Sequence, residues 1–98
     1  MEIIDNVTFD EIIKKDLVLI DFYADWCGPC RMLLPNLEKL ESDKNITIKK
    51  VNVDNSHDLS KKYGVMSIPT LILFSKGKEL KKNTGYLSYE ELEEFIKE

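Results

Sequence analysis

Leu17-Val18-Leu19-Ile20-Asp21-Phe22-Tyr23-Ala24-Asp25-Trp26-Cys27-Gly28-Pro29-Cys30 is the stretch on which the fold turns. Its first seven residues are apolar except Asp21, and so continuous an apolar run marks a strand covered on both faces. Beyond it Leu33, Leu37 and Leu40 recur at helical spacing, so a helix is expected from near Cys27 to about Ser42. Pro35 lies inside that pattern. It removes the bond to the carbonyl of Arg31 and should kink the helix. A buried strand leading straight into a helix is the first half of a crossover between parallel strands.

The rest of the chain continues that alternation. Ile46 to Val53 reads as a second buried strand, and Asp58 to Tyr63 as a short helix stopped by Gly64. Thr70 to Ser75 and Glu79 to Thr84 read as strands joined by a turn at Lys76-Gly77-Lys78. Thr8-Phe9-Asp10-Glu11 and Ser88-Tyr89-Glu90-Glu91 both have capping-box form and should open helices. Phe9, Ile12 and Ile13 would then face inward from the first, and Leu92, Phe95 and Ile96 from the second. The order β-α-β-α-β-α-β-β-α predicts an α/β fold of three layers, a central mixed β-sheet flanked by helices on both faces.

With 98 residues the chain is expected to form one domain, residues 1–98. A hydrophobic fraction of 43% and a charged fraction of 33% fit a globular protein. The net charge of −4 argues against a nucleic-acid partner, which needs a basic face. The start, Met1-Glu2-Ile3-Ile4-Asp5, lacks the basic and apolar regions of a signal peptide. Leu17 to Ile20 and Leu71 to Phe74 are too short to span a bilayer. The expectation is a cytoplasmic protein with no membrane partner, and in that compartment a permanent structural disulfide is disfavoured.

The two cysteines are the only ones in the chain, and they sit three apart. Random placement would give that spacing in roughly 2% of cases. Following a buried strand and opening a helix, the pair reads as redox-active. Residues i and i+3 of a helix have Cβ atoms about 5–6 Å apart, and a disulfide needs about 3.5–4.5 Å, so a small adjustment opens or closes the bridge. Cys27 falls at the helix start, where unpaired N–H groups and the positive end of the helix favour a thiolate. Cys30, one turn deeper, should be more buried. Cys27 is therefore the expected nucleophile and Cys30 the resolving thiol. Pro29 suits the first turn because its missing N–H is not needed there, and Gly28 leaves room for a substrate disulfide.

Two other readings of the cysteines carry less weight. Structural zinc needs four ligands, and the chain offers Cys27, Cys30 and a solitary His57 in a polar stretch. No metal is expected. Inert buried cysteines would sit poorly around a Gly-Pro pair.

Asp21 interrupts its strand on the face shared by Leu17 and Leu19, and Lys50 shares a face with Ile46 and Ile48. Neither charge should be left alone in a buried strand, so the two are expected near each other on adjacent strands. Burial would raise the pKa of Asp21 toward neutrality. Lying six residues before Cys27, Asp21 could then accept the proton of Cys30. The alternative is an Asp21 that reaches water at a strand end, with Lys50 snorkelling outward.

The segment Asp21 to Cys30 resembles the active-site segment of the thioredoxin family. The likeness continues through Pro35, Lys50-Val51-Asn52-Val53-Asp54, Tyr63-Gly64-Val65, Ser67-Ile68-Pro69-Thr70, Phe74, Gly77 and Gly85. The resemblance implies a cis peptide at Ile68-Pro69 facing the cysteines. It also implies a flat apolar surface of Trp26, Ile68, Pro69 and Gly85 that, with Gly28 and Pro29, receives substrate chains. Asp21 is implied as the buried acid with Lys50 as its charge partner. No bound cofactor is implied beyond a reversible Cys27–Cys30 disulfide, reduced by NADPH through a flavin-containing thioredoxin reductase. The partners would be that reductase and proteins bearing disulfides, and a monomer is expected. Gly28-Pro29 resembles the dipeptide of reducing members, so the expected activity is general protein-disulfide reduction. A dedicated redox partner and a non-catalytic binding subunit are the alternatives. The chain departs from the family pattern in Tyr23, where many members have Trp, expected to affect local packing only. Arg31 and Met66 flank the site, and the first strand is reduced to about Ile3 and Ile4.

Overall fold

Val18–Tyr23 forms a strand in which all six residues are buried. The computed structural model, which describes residues 1–97, sets it at the centre of a five-stranded sheet. In chain order the elements are β1 (Glu2–Ile3), α1 (Asn6–Ile12), β2 (Val18–Tyr23), α2 (Gly28–Lys44), β3 (Thr47–Asn52), α3 (His57–Lys62), β4 (Thr70–Ser75), β5 (Lys78–Thr84) and α4 (Tyr89–Phe95). The sheet order is β1-β3-β2-β4-β5. β1 and β2 run parallel to β3, whereas β4 is antiparallel to both β2 and β5. This is the expected mixed sheet.

Alternation along β2 divides the core in two. Val18, Ile20 and Phe22 join Phe9, Val51, Leu59, Ile72 and Phe74 on one face. Leu19 joins Leu33, Leu37, Leu40, Ile48, Leu71, Leu73 and Leu92 on the other. α1 and α3 thus cover one face, and α2 and α4 the other. The leucine stripe of α2 is fully buried, each side chain contributing about 1.5–3 kcal/mol. α2 runs past Ser42 to Lys44, through Pro35, and ends at Asn45 in the left-handed conformation.

The capping box at Ser88 forms as expected, with reciprocal bonds of 3.2 and 2.9 Å between Ser88 and Glu91. The one expected at Thr8 does not. Asp5 caps α1 instead, its carboxylate accepting from the N–H groups of Val7 and Thr8 at 3.0 and 3.2 Å. With Asp5 as the cap the helix begins at Asn6, one turn earlier than expected, so Thr8 lies inside it and its hydroxyl donates to Asp5 at 3.3 Å instead of capping. The β4–β5 turn uses Lys76 and Gly77, both at positive φ.

The register fixes the site. Phe22 of β2 pairs with Thr70 of β4, which pairs with Thr84 of β5, and Tyr23 pairs with Asn52 of β3. The C-terminal ends of β2, β3 and β5 and the N-terminal end of β4 therefore meet at one edge of the molecule. The loops carrying Cys27, Asp54, Pro69 and Gly85 all leave from that edge.

Candidate active site

Cys27 is the N-cap of α2, its backbone extended at φ −87° and ψ 112° before the helix begins. Its sulfur accepts the N–H of Cys30 at 3.2 Å, so the first turn of the helix directs a donor at the sulfur. Cys27 and Cys30 are joined as a disulfide, with Cα atoms 5.2 Å apart. The expected difference in burial is absent, since Cys27 is 4% exposed and Cys30 5%. Cys27 sits under Ile68, whose carbonyl oxygen lies 3.9 Å from its sulfur, and this loop covers what helix position alone would leave open.

The Ile68-Pro69 peptide is cis, as the resemblance implied. Pro69 itself is buried, contributing less open surface than expected. It is fastened to the next loop, because its carbonyl accepts the N–H of Gly85 at 2.8 Å. Gly28 is half-buried and Pro29 exposed at the helix start. Trp26 is 68% exposed, and with Val53, Val65, Met66 and Ile68 it lines an apolar groove of about 450 Å3. Met66, 96% exposed, stands at the rim. Ile68 thus packs on the cysteine pair, Pro69 and Gly85 are tied to it through the chain and the 2.8 Å bond, and Trp26, Gly28 and Pro29 adjoin the cysteines in sequence.

Sequence reasoning gave Asp54 no role. Its carboxylate accepts the indole N–H of Trp26 at 2.9 Å and fixes the ring beside the groove. A signal was present: Asp54 directly follows the second strand, whose end must lie beside the end of the first. His57 is exposed and does not line the groove. Among the described residues no group of three or more His, Cys, Asp or Glu side chains is arranged to hold a metal.

Asp21 is 1% exposed, and its Oδ1 has no hydrogen-bond partner among the described residues. Burial pushes its pKa from 3.8 up to about 7, with the positive charge of Lys50 pulling in the opposite direction. Lys50 is in register with Asp21 on β3, so the expected neighbourhood is real. Lys50 is only half-buried, however, and its ammonium lies 4.1 Å from the centroid of the Tyr23 ring instead of closing an ion pair with Asp21. β1 pairs with β3 at this level, Ile3 standing in register with Lys50. A cleft of about 160 Å3 lined by Asp21, Tyr23, Asp25, Cys30, Arg31 and Lys50 connects the buried acid to the inner cysteine.

A family model described as thioredoxin matches residues 1–98. The chain belongs to the thioredoxin family. It is 48% identical over 86 residues to a thioredoxin of Chlamydia caviae, covering 87% of this chain and 84% of that one. It is 46% identical over 92 residues to a thioredoxin of Alicyclobacillus acidocaldarius, covering 90% and 87%. Among solved structures, a mutant thioredoxin from Halobacterium salinarum superposes with a TM-score of 0.89 at 36% identity, covering 97% of this chain and 88% of that one. The oxidised mitochondrial thioredoxin 3 of Saccharomyces cerevisiae gives 0.85 at 34% identity, covering 98% and 92%. With its Cys27–Cys30 pair at disulfide distance, the chain is a dithiol–disulfide oxidoreductase, a protein-disulfide reductase of the thioredoxin type.

Proposed function

We propose that the chain is a general reductase of protein disulfides in which Cys27 attacks and Cys30 resolves. The bond from the Cys30 N–H to the Cys27 sulfur carries this reading, because that donor stabilises a thiolate on Cys27 when the bridge is open. The thiolate attacks one sulfur of the substrate disulfide, and the other sulfur leaves as a thiolate that takes a proton from solvent. Cys30 then gives its proton to the Asp21 carboxylate and attacks the Cys27 sulfur. The Cys27–Cys30 bond forms, the second substrate sulfur leaves, and two electrons have passed to the substrate.

Ionisation alone supplies little of the rate. Lowering a thiol pKa from about 8.5 to about 7 raises its thiolate fraction about sixteenfold at neutral pH. A Brønsted slope of about 0.4–0.5 returns about four- to sixfold of that as lost nucleophilicity. The larger contribution is positional: a substrate chain seated on Trp26, Gly28, Pro29, Ile68, Pro69 and Gly85, with the resolving thiol one helical turn away.

An acid of pKa about 7 suits the proton transfer, being partly ionised at neutral pH, and Lys50 adds a favourable charge. Reducing equivalents would come from NADPH through a flavin-containing thioredoxin reductase, and the working form would be a cytoplasmic monomer. The test is reduction of a disulfide-bonded protein by the purified chain with NADPH and a thioredoxin reductase, with the reduction potential measured against glutathione. A general reductase turns over several unrelated disulfide proteins and has a potential more negative than glutathione. Turnover of one target alone, or a more oxidising potential, overturns the reading.

A further inference from the structure

Tyr23 has no part in the reaction just described, yet it makes a specific contact. Its ring lies at the end of β2, two residues beyond Asp21, and the Lys50 ammonium rests 4.1 Å from the ring centroid. Register carries Lys50 to the level of Asp21, but the side chain closes no ion pair there. Lysine has a long flexible stem, and from a half-buried position its ammonium would ordinarily extend into water. An aromatic face that attracts the cation opposes that tendency.

We propose that the Tyr23 ring is a positioning residue that seats the Lys50 ammonium at the mouth of the cleft between Asp21 and Cys30, and so sets the acid's readiness to take the Cys30 proton. The inference rests on the proposed role of Asp21 as proton acceptor. The other charged and titratable groups facing the cleft are Asp25, Cys30 and Arg31. Arg31 is committed elsewhere, its guanidinium donating to the Asp25 carbonyl at 2.8 Å, and β4 presents apolar Leu71 opposite Asp21. Lys50 is therefore the cation left to act on Asp21, and it acts through its field, because Oδ1 of Asp21 has no hydrogen-bond partner among the described residues. Lys50 favours the ionised carboxylate. Seated on the ring, it keeps the acid ionised in enough molecules at neutral pH to accept a proton. Released into water, it would leave fewer molecules with an ionised acid able to accept one.

The seat is read without turnover, by following the Asp21 carboxyl carbon through a pH titration of the oxidised protein by NMR. Tyr23→Leu removes the ring and should move the Asp21 midpoint upward by about half a unit or more, less than the 1–3 units exerted by an opposite charge in direct contact. Tyr23→Phe keeps the ring and should leave the midpoint unchanged. Lys50→Met should reproduce the upward shift, and adding Tyr23→Leu to it should shift nothing further. A shift that persists in the Lys50→Met background, or that Tyr23→Phe shares, overturns the proposal. A second measurement needs no variant to fold: the ε protons of Lys50 in the unaltered protein should resonate upfield of the other lysines under the ring current, and ordinary positions overturn the seat. Undiminished turnover by Asp21→Asn would count against Asp21 as acceptor while leaving the titration result on Tyr23 standing, so the two readings fail separately.

Discussion

The backbone N–H of Cys30 points at the sulfur of Cys27 across 3.2 Å, and no equivalent donor reaches the sulfur of Cys30 among the described residues. The two thiols are thus unequal although their exposures are nearly the same. Cys30→Ser should trap substrate proteins as mixed disulfides on Cys27, because attack proceeds and resolution cannot. Cys27→Ser should trap none. Mass spectrometry of the trapped species checks the assignment, and adducts on Cys30 would reverse the two roles.

Asp21 makes stability depend on pH in a definite direction. Its folded pKa, about 7, lies above the ordinary 3.8 of the unfolded chain. Well below pH 3.8 both states hold the proton and Asp21 costs nothing as a charge. As pH rises the unfolded chain loses the proton first, so stability falls, and above about pH 7 the cost is complete at about 4 kcal/mol. Asp21→Asn removes that cost but buries an amide whose missing partners take back about 1–3 kcal/mol. Urea titrations should therefore show a net gain of about 1–3 kcal/mol at pH 8 relative to the parent, a net loss at pH 4 where the charge cost is nearly absent and the amide cost remains, and slower turnover at pH 7. An equal gain at both pH values would point to packing and away from charge.

How much of this was legible in the sequence differs from residue to residue. The apolar run before Asp21 and the leucine stripe behind Cys30 led to β2 and α2, because full burial leaves an unambiguous pattern at both periods. Ser88 was read correctly as a cap, whereas Thr8 was not, since Asp5 and Thr8 are both acceptable cap residues and the local pattern does not say at which of them the helix starts. The closeness of Asp21 and Lys50 could be inferred from the cost of isolating either charge. Where the Lys50 ammonium comes to rest could not, because a flexible side chain chooses among partners that only the folded sheet brings together. The nearly equal burial of the cysteines depends on the loop at Ile68, some forty residues away in the chain, and local spacing carries no trace of it.

Asp54 should govern how Trp26 presents itself to a substrate. The indole is largely exposed and is held through one charge-assisted bond of 2.9 Å. Asp54→Ala should leave stability within about 0.5 kcal/mol, as expected for an exposed site. It should raise KM several-fold while leaving the rate at saturating substrate nearly unchanged, because a swinging ring weakens docking and not the sulfur chemistry. Trp26 is the only tryptophan in the chain, so its fluorescence anisotropy reports the freed ring directly. Unchanged anisotropy would mean that packing, and not Asp54, fixes the indole.

Gly28 lies between the two cysteines and Gly85 is bonded to the carbonyl of Pro69, and alanine should separate what each contributes. A Cβ at either position meets no atom within 4 Å, so neither substitution causes a clash. The backbones differ. Gly85 sits at φ +106°, a region that costs a residue with a side chain about 1–3 kcal/mol, while Gly28 lies in the first turn of α2 at an ordinary φ. Gly85→Ala should therefore lose about 1–3 kcal/mol in denaturant titrations, whereas Gly28→Ala should be neutral or slightly more stable, alanine being the better helix former. Relief of the strain at Gly85 would also pull on its 2.8 Å bond to the Pro69 carbonyl, moving the loop that covers Cys27. Activity should fall with Gly85→Ala even where the protein is fully folded. With Gly28→Ala any loss should appear in KM, because the added methyl group stands in open space that a substrate chain enters. A destabilised Gly28→Ala beside an unaffected Gly85→Ala would mean that backbone strain does not distinguish these two sites.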